Sequence, residues 1–310
     1  MSKKITKAVI LAGGLGTRML PVSKSVPKEI LPIVDKPAMQ YLVEEAAASG
    51  ITDILIITGR DKSAIENYFD HSPEYEYTLK NKNTEASLKN LEIIKNIPYI
   101  ANIHYIRQKE PKGLGHAVLC AKSFAGNDDF IVIYGDDIII GEPPATKELI
   151  GVYEKNNGNI CVAAVKEVPL EQVKMYCSLK VKPAENCSDN SEFYVYDMNE
   201  KPKTDEEIFS NYAILGRVLL TPEIFDILEK QPPGANNEIQ LTDAMKTLVK
   251  QSDEKNTSAK SKMIAKVFSG ERHDMGSKLG FLRANVIEGV KHEEVGEEFK
   301  KFLREFAGKI

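Results

Sequence analysis

Three layers, with helices on both faces of a central sheet that is mixed but mainly parallel, is the α/β fold the sequence predicts. Two observations carry that expectation. Through the first half of the chain, short apolar runs of strand length alternate with segments of helical period; beyond about residue 160 the apolar runs crowd together. Strand–helix–strand order implies right-handed crossovers and a Rossmann-like parallel nucleus, whereas crowded runs divided by polar stretches imply antiparallel or mixed strands beside it.

In chain order, AVIL (8–11), ILIIT (54–58), IHYIR (103–107) and FIVIY (130–134) read as strands, with helices over Ala38–Ser49, Ser63–Phe69, Ala86–Lys95 and Leu114–Ser123. ICVAAV, CSLKV, FYVYDM and YAILGRVLL supply the strands of the second half, with helices at Pro222–Lys230, Glu238–Lys250 and Lys278–Glu288. KPAENCSDNSE (182–192) is a polar divider, and KQSDEKNTSAKSK (250–262) reads as a solvated loop. The segment 291–310 reads as a C-terminal helix with Val295, Phe299, Phe302, Leu303 and Phe306 on one face and Glu297 paired with Lys301 on another. Such a face packs on its own domain or against another subunit.

Composition narrows the function classes. The chain has 310 residues, 42% hydrophobic and 28% charged, as a soluble globular enzyme or binding protein does. A net charge of -4 argues against general affinity for nucleic acid or an anionic membrane, so any anion site must be built locally. Cys120, Cys161, Cys177 and Cys187 form no CxxC pair and have no histidine at zinc-ligand spacing, which suits reduced cysteines. The apolar run Ala8–Ala12 is too short for a signal peptide or a membrane span, and the expectation is a cytoplasmic protein.

The stretch LAGGLGTRMLPVSKSVPKEILP, Leu11 to Pro32, raises the functional question. Ala12–Arg18 follows the first strand, where ligands bind in open α/β sheets, and Gly13, Gly14 and Gly16 let successive backbone N–H groups approach an anion. A dinucleotide fingerprint fails because Met19 stands at its third glycine and no acid closes the second strand; a P-loop fails because the only Gly-Lys pair is Gly308-Lys309. A plain chain reversal would explain the glycines but not Arg18, Lys24 and Lys28 beside them. A phosphate ligand is the natural reading.

These residues resemble the signature of the sugar-1-phosphate nucleotidylyltransferases. The resemblance runs through nearly the whole chain, with DKPAMQYLVEEAAASGI, RDKSAIENYFD, RQKEPKGLGHAVLCAK, YGDDII, NEKP, NYAILGRVLLTPEIFDIL, NEIQLTDAM and HDMGSKLGFLRA following in the expected order. It implies a Rossmann-like nucleotidyltransferase fold over 1–310, with a nucleotide-binding part (1–160) and a sugar-phosphate-binding part (161–290). It also implies UTP as donor, glucose 1-phosphate as acceptor, Mg²⁺ as cofactor, and a homodimer or homotetramer. Thymidylyl transfer, another hexose 1-phosphate, and a catalytically weak regulatory paralogue are the alternatives.

On this resemblance, Ala12, Gly13, Gly14, Gly16, Thr17, Glu29, Gln108 and Gly113 bind the nucleotide. Arg18 forks onto triphosphate oxygens, Lys28 adds a point charge, and the Gln108 carboxamide matches the imide edge of uracil or thymine. Asp136 is the metal ligand, with Asp137 behind it; Asp274 approaches the metal, unless it or Ser277 caps the next helix. Gly216, with Arg217 beside it, belongs to the acceptor side, where Glu200 accepts sugar hydroxyls and Lys201 holds the 1-phosphate. His116 reads as the first turn of a helix rather than a base, because a phosphate monoester is already ionised. One departure touches the sugar site: Cys177 follows Tyr176 where relatives carry a glycine.

Overall fold

The computed structural model describes residues 3–184, 187, 190–234, 237–255 and 261–309. Its strands are β1 (Lys7–Ala12), β2 (Pro32–Ile33), β3 (Lys36–Pro37), β4 (Asp53–Thr58), β5 (Asn102–Arg107), β6 (Phe130–Tyr134), β7 (Asp137–Ile140), β8 (Cys161–Glu167), β9 (Cys177–Pro183), β10 (Glu192–Glu200), β11 (Tyr212–Leu220), β12 (Met263–Val267) and β13 (Glu271–Asp274). Nine of these form one sheet in the order β5-β4-β1-β6-β11-β8-β12-β10-β9. β5, β4, β1 and β6 are mutually parallel. β11 runs against β6 and β8, β12 lies parallel to β8, and β10 runs against β12 and β9. Only β11 and β10 oppose the common direction, so the sheet is mixed and mainly parallel, as the alternation of strands and helices predicts.

Strand alternation divides the core between two faces. Ala8, Ile10, Ile54, Ile56, Ile131 and Ile133 face the layer holding Met39, Leu42, Leu149 and Tyr153. Val9, Leu11, Leu55, Ile57, Phe130 and Val132 face Val118, Phe225, Met245 and Leu248 on the other side. Both faces of the central strands are therefore covered, and each fully buried aliphatic side chain contributes roughly 1.5–3 kcal/mol. The helix Ala38–Ala48 shows how sequence places one layer: it follows Pro37, buries Met39, Leu42, Val43 and Ala46, and stops before Gly50, whose φ is +90°.

Several expectations need correction. The helix expected over Leu114–Ser123 is two, Leu114–Leu119 and Lys122–Ala125. The helix expected over Glu238–Lys250 begins at Leu241 and runs to Lys255, because Ile239 is used in backbone bonds to Lys112 and Gly115. It takes the start of the expected loop 250–262, of which residues 256–260 lie outside the described ones, as do 185, 186, 188 and 189 in the polar divider. The helix Pro73–Lys82 buries none of its residues, so no apolar period announced it. β12 and the helix Ala145–Lys155 were not read from the sequence, although the helix buries Leu149, Ile150, Val152 and Tyr153 at helical spacing. The C-terminal helix spans Gly296–Ala307, and Glu297 pairs with Lys300 rather than Lys301.

Candidate active site

β1, β4 and β6 end level with one another, Ala12 opposite Thr58 and Leu11 opposite Tyr134, so the loops that follow open on one edge of the sheet. The first, the glycine loop, turns through Gly16 at φ +66°, with the Ser23 hydroxyl donating to the Gly16 carbonyl at 2.8 Å. The third carries Asp136 and Asp137 into β7, which pairs with β13 as a separate ribbon and sets Asp137 opposite Asp274. The Met275 N–H donates to the Asp136 carbonyl at 2.8 Å and locks the two turns together.

At this edge Lys28 Nζ stands 2.5 Å from Asp136 Oδ2, and Arg18 Nη2 lies 3.9 Å from the same oxygen. A Cβ on Gly276 would stand 2.7 Å from Asp136 Oδ2, 2.8 Å from Arg18 Nη2 and 3.1 Å from Asp274 Oδ1, so a side chain there would push these three converging groups aside. Burial opposes ionisation of Asp136, but the charge and hydrogen bond of Lys28, with the charge of Arg18 and a backbone hydrogen bond, together hold the carboxyl below its ordinary range. Burial pushes Asp137 up to about 6, against the pull of Arg272. Asp274 accepts from the Gly276 N–H and the Ser277 hydroxyl, and the helix cap is Ser277, whose oxygen accepts from the Gly280 N–H.

Two cavities meet there. One, of about 260 Å³, is lined by Gly13, Gly14, Lys28, Glu29, Gln108 and Gly113. The other, of about 520 Å³, is lined by Arg18, Cys177, Glu200, Lys201, Arg272 and Asp274. They share Leu114, Tyr134 and Asp136. The residues expected on the nucleotide side and those expected on the acceptor side thus fall largely into separate chambers joined at one carboxylate. Segment 238–242 forms the partition, with Glu238 in the first chamber and Gln240 and Thr242 in the second. Gly113, at φ +95°, lies under it, where a Cβ would come within 2.8 Å of the Ile239 carbonyl oxygen.

The remaining expected residues are placed as follows. Ala12 is fully buried, and neither Gly16 nor Thr17 lines a chamber. Glu29 is 1% exposed and both its oxygens hold Lys62 Nζ at 2.8 Å. The Gln108 carboxamide nitrogen lies 2.8 Å from His116 Nδ1 and donates to the Gly113 carbonyl. Cys177 lines the acceptor chamber and pairs with Glu200 across β9 and β10, but burial holds its thiol well above the ordinary value. Lys201 takes φ +48° at the end of β10, with its N–H donating to the Tyr176 carbonyl.

Two acceptor-side expectations are corrected. Gly216 does not line the chamber: it is glycine because a Cβ would stand 2.7 Å from that of Asp137. Arg217 points away into the core, fully buried and forked onto Glu45 at 2.9 and 2.5 Å, with a third bond to the Asp137 carbonyl. Lys62, Arg272 and Gly276 were missed. Arg272 had a signal, since two-residue alternation along β13 sets it on the face of Asp274. On the opposite face Glu271, His273 and Glu288 draw together, but the Lys291 ammonium already stands 3.1 Å from Glu271 and 2.8 Å from Glu288.

Residues 7–286 match the family model of the nucleotidyl transferases. The chain belongs to that family. Among relatives of this nucleotidyl transferase, the UTP–glucose-1-phosphate uridylyltransferase of Staphylococcus epidermidis is 46% identical over 303 residues, covering 98% of this chain and 99% of the relative. That of Bacillus subtilis is 44% identical, covering 97% of each chain. A crystal structure of UDP-glucose pyrophosphorylase complexed with UDP-glucose superposes with a TM-score of 0.80 at 39% identity, over 93% of this chain and 100% of that one. A UTP-bound enzyme of the same kind from Acinetobacter baumannii gives 0.81 at 36% identity, over 97% and 99%. Among the described residues of this nucleotidyl transferase, no helix is long and apolar enough to cross a membrane.

Proposed function

We propose that this chain transfers a uridylyl group from UTP to glucose 1-phosphate, releasing pyrophosphate. One observation carries the reading beyond the family: two chambers, one with a glycine loop and one with a Glu–Lys corner, meet at an Asp136 flanked by Lys28 and Arg18. The glycine-loop N–H groups and Lys28 bind the triphosphate, Gln108 and the Gly113 backbone read the base, Glu200 accepts sugar hydroxyls, and Lys201 holds the acceptor phosphate. An acceptor phosphate oxygen then attacks the α-phosphorus in line, and pyrophosphate leaves. No base is needed, because the attacking oxygen is already anionic, so the protein's work is positioning and charge neutralisation.

The carboxylates of Asp136 and Asp274 suit Mg²⁺, since their oxygens approach one point beside Gly276 and hard oxygen donors near phosphate are what this ion takes. Bound there, Mg²⁺ supplies Lewis-acid neutralisation of phosphate charge. We also propose a homodimer or homotetramer formed through the exposed apolar residues Leu279, Leu282, Phe302 and Phe306 of the last two helices, and a cytoplasmic location. Incubating the protein with UTP, glucose 1-phosphate and Mg²⁺ and following products by phosphorus NMR tests the activity. UDP-glucose and pyrophosphate are expected in equal amounts, and their absence would reject it.

A further inference from the structure

We propose that Arg272 is a positioning residue that ties the acidic ribbon to the acceptor corner; the inference rests on the uridylyl-transfer reading. Asp136 and Asp274 stand at the ends of a two-stranded ribbon, β7 with β13, that is separate from the main sheet. The acceptor corner lies elsewhere, where the start of β9 meets the end of β10. Arg272 joins the two. Its Nε and Nη2 stand 2.7 and 2.5 Å from Asp137 Oδ1, its Nη1 donates to the Tyr176 hydroxyl at 3.2 Å, and its guanidinium carbon lies 5.3 Å from the centre of the Tyr176 ring.

Tyr176 passes the connection on. Its carbonyl accepts from the Lys201 N–H at 2.9 Å, and the next residue, Cys177, faces Glu200 across the strands. Lys201 needs that support, since φ +48° is a left-handed conformation that a non-glycine residue holds only where its surroundings fix it. Asp137, Arg272, Tyr176 and Lys201 thus form a continuous line of contacts from the residue beside Asp136 to the group that holds the acceptor phosphate. A planar fork can engage a carboxylate through two nitrogens and a phenol through a third; an ammonium cannot hold that geometry. Arg272 lines the acceptor chamber, but its side chain is only 17% exposed and all three of its nitrogens are engaged by Asp137 and Tyr176.

The test is kinetic. Arg272→Lys, which keeps the charge, and Tyr176→Phe, which removes one hydroxyl and keeps the ring, are compared with the wild type for KM of each substrate, kcat and Tm. Arg272→Lys is expected to raise KM for glucose 1-phosphate about ten-fold, the scale of one charge-assisted hydrogen bond, with less than a two-fold change in UTP binding. Tyr176→Phe is expected to move the same constant by less, and the double variant to be no worse than Arg272→Lys. A fall in Tm with no shift between the two substrates, in both single variants, would overturn the coupling. A wild type that makes no UDP-glucose would overturn the activity and the inference together; an active wild type whose variants show no split would overturn the inference alone.

Discussion

Lys62 holds Glu29 through both carboxylate oxygens at 2.8 Å, in the floor of the nucleotide chamber, with each residue less than a tenth exposed. Burial raises the Glu29 pKa and lowers that of Lys62, and each partner's charge offsets the other's burial. The neighbouring residue, Lys28, is the one that meets Asp136, so the pair fixes the segment that carries a phosphate-binding charge.

Lys62→Met leaves a buried carboxylate without its cation. The expected cost is about 3–5 kcal/mol by denaturant unfolding at neutral pH. The sign of its pH dependence follows: a carboxyl whose folded pKa is raised holds its proton more tightly folded than unfolded, so stability falls as pH rises from the unfolded value through the folded one. The loss in Lys62→Met is therefore greatest at neutral pH and eases in mild acid. Adding Glu29→Gln should recover much of it, and a loss independent of both pH and Glu29 would contradict the pairing.

Lys201→Ala removes the charge assigned to the acceptor phosphate. KM for glucose 1-phosphate should rise by roughly 10- to 100-fold, as expected for a hydrogen bond to a charged group, while UTP affinity measured by calorimetry changes little. Equal losses for both substrates would move Lys201 out of the acceptor site.

The Cys177 thiol is buried and raised by that burial, so iodoacetamide at pH 8 should label partly exposed Cys187 in the folded protein and leave Cys177 intact. Cys177→Gly should keep or raise activity with glucose 1-phosphate. A marked loss would mean that the thiol shapes the sugar site.

Phe302 and Phe306 stack at 5.8 Å on the exposed side of the last helix and are 55% and 46% exposed. Phe302→Glu with Phe306→Glu should convert an oligomer to a monomer in light scattering behind gel filtration. A wild-type monomer would remove this interface.

Most of the fold was legible because the central strands are apolar on both faces and bounded by glycines, and the helices that cover them carry one buried stripe each. Apart from the helix Ala145–Lys155, whose buried stripe was there to be read, what escaped had no such contrast. Pro73–Lys82 buries nothing, and the ribbon of β7 with β13 is made of four-residue strands. In the site, residues within motifs were legible as types, yet their directions were not. Arg217 and Gly216 are adjacent to the acceptor strand but serve the core and Asp137, a distinction set by which face of β11 each occupies. Lys62 and Arg272 act through Glu29 and Asp137 from distant positions in the chain, and only the folded structure brings those partners together.

The most direct measurement is pyrophosphate release from UTP with Mg²⁺, with and without glucose 1-phosphate, in the wild type and Asp136→Asn, repeated with dTTP, ATP, CTP and GTP. Transfer at Asp136 predicts release that requires glucose 1-phosphate, prefers UTP, and falls at least about 100-fold in Asp136→Asn, the scale on which removing a charge-stabilising group acts. Release that ignores the sugar phosphate, or an Asp136→Asn variant as active as the wild type, would contradict transfer at the junction of the two chambers.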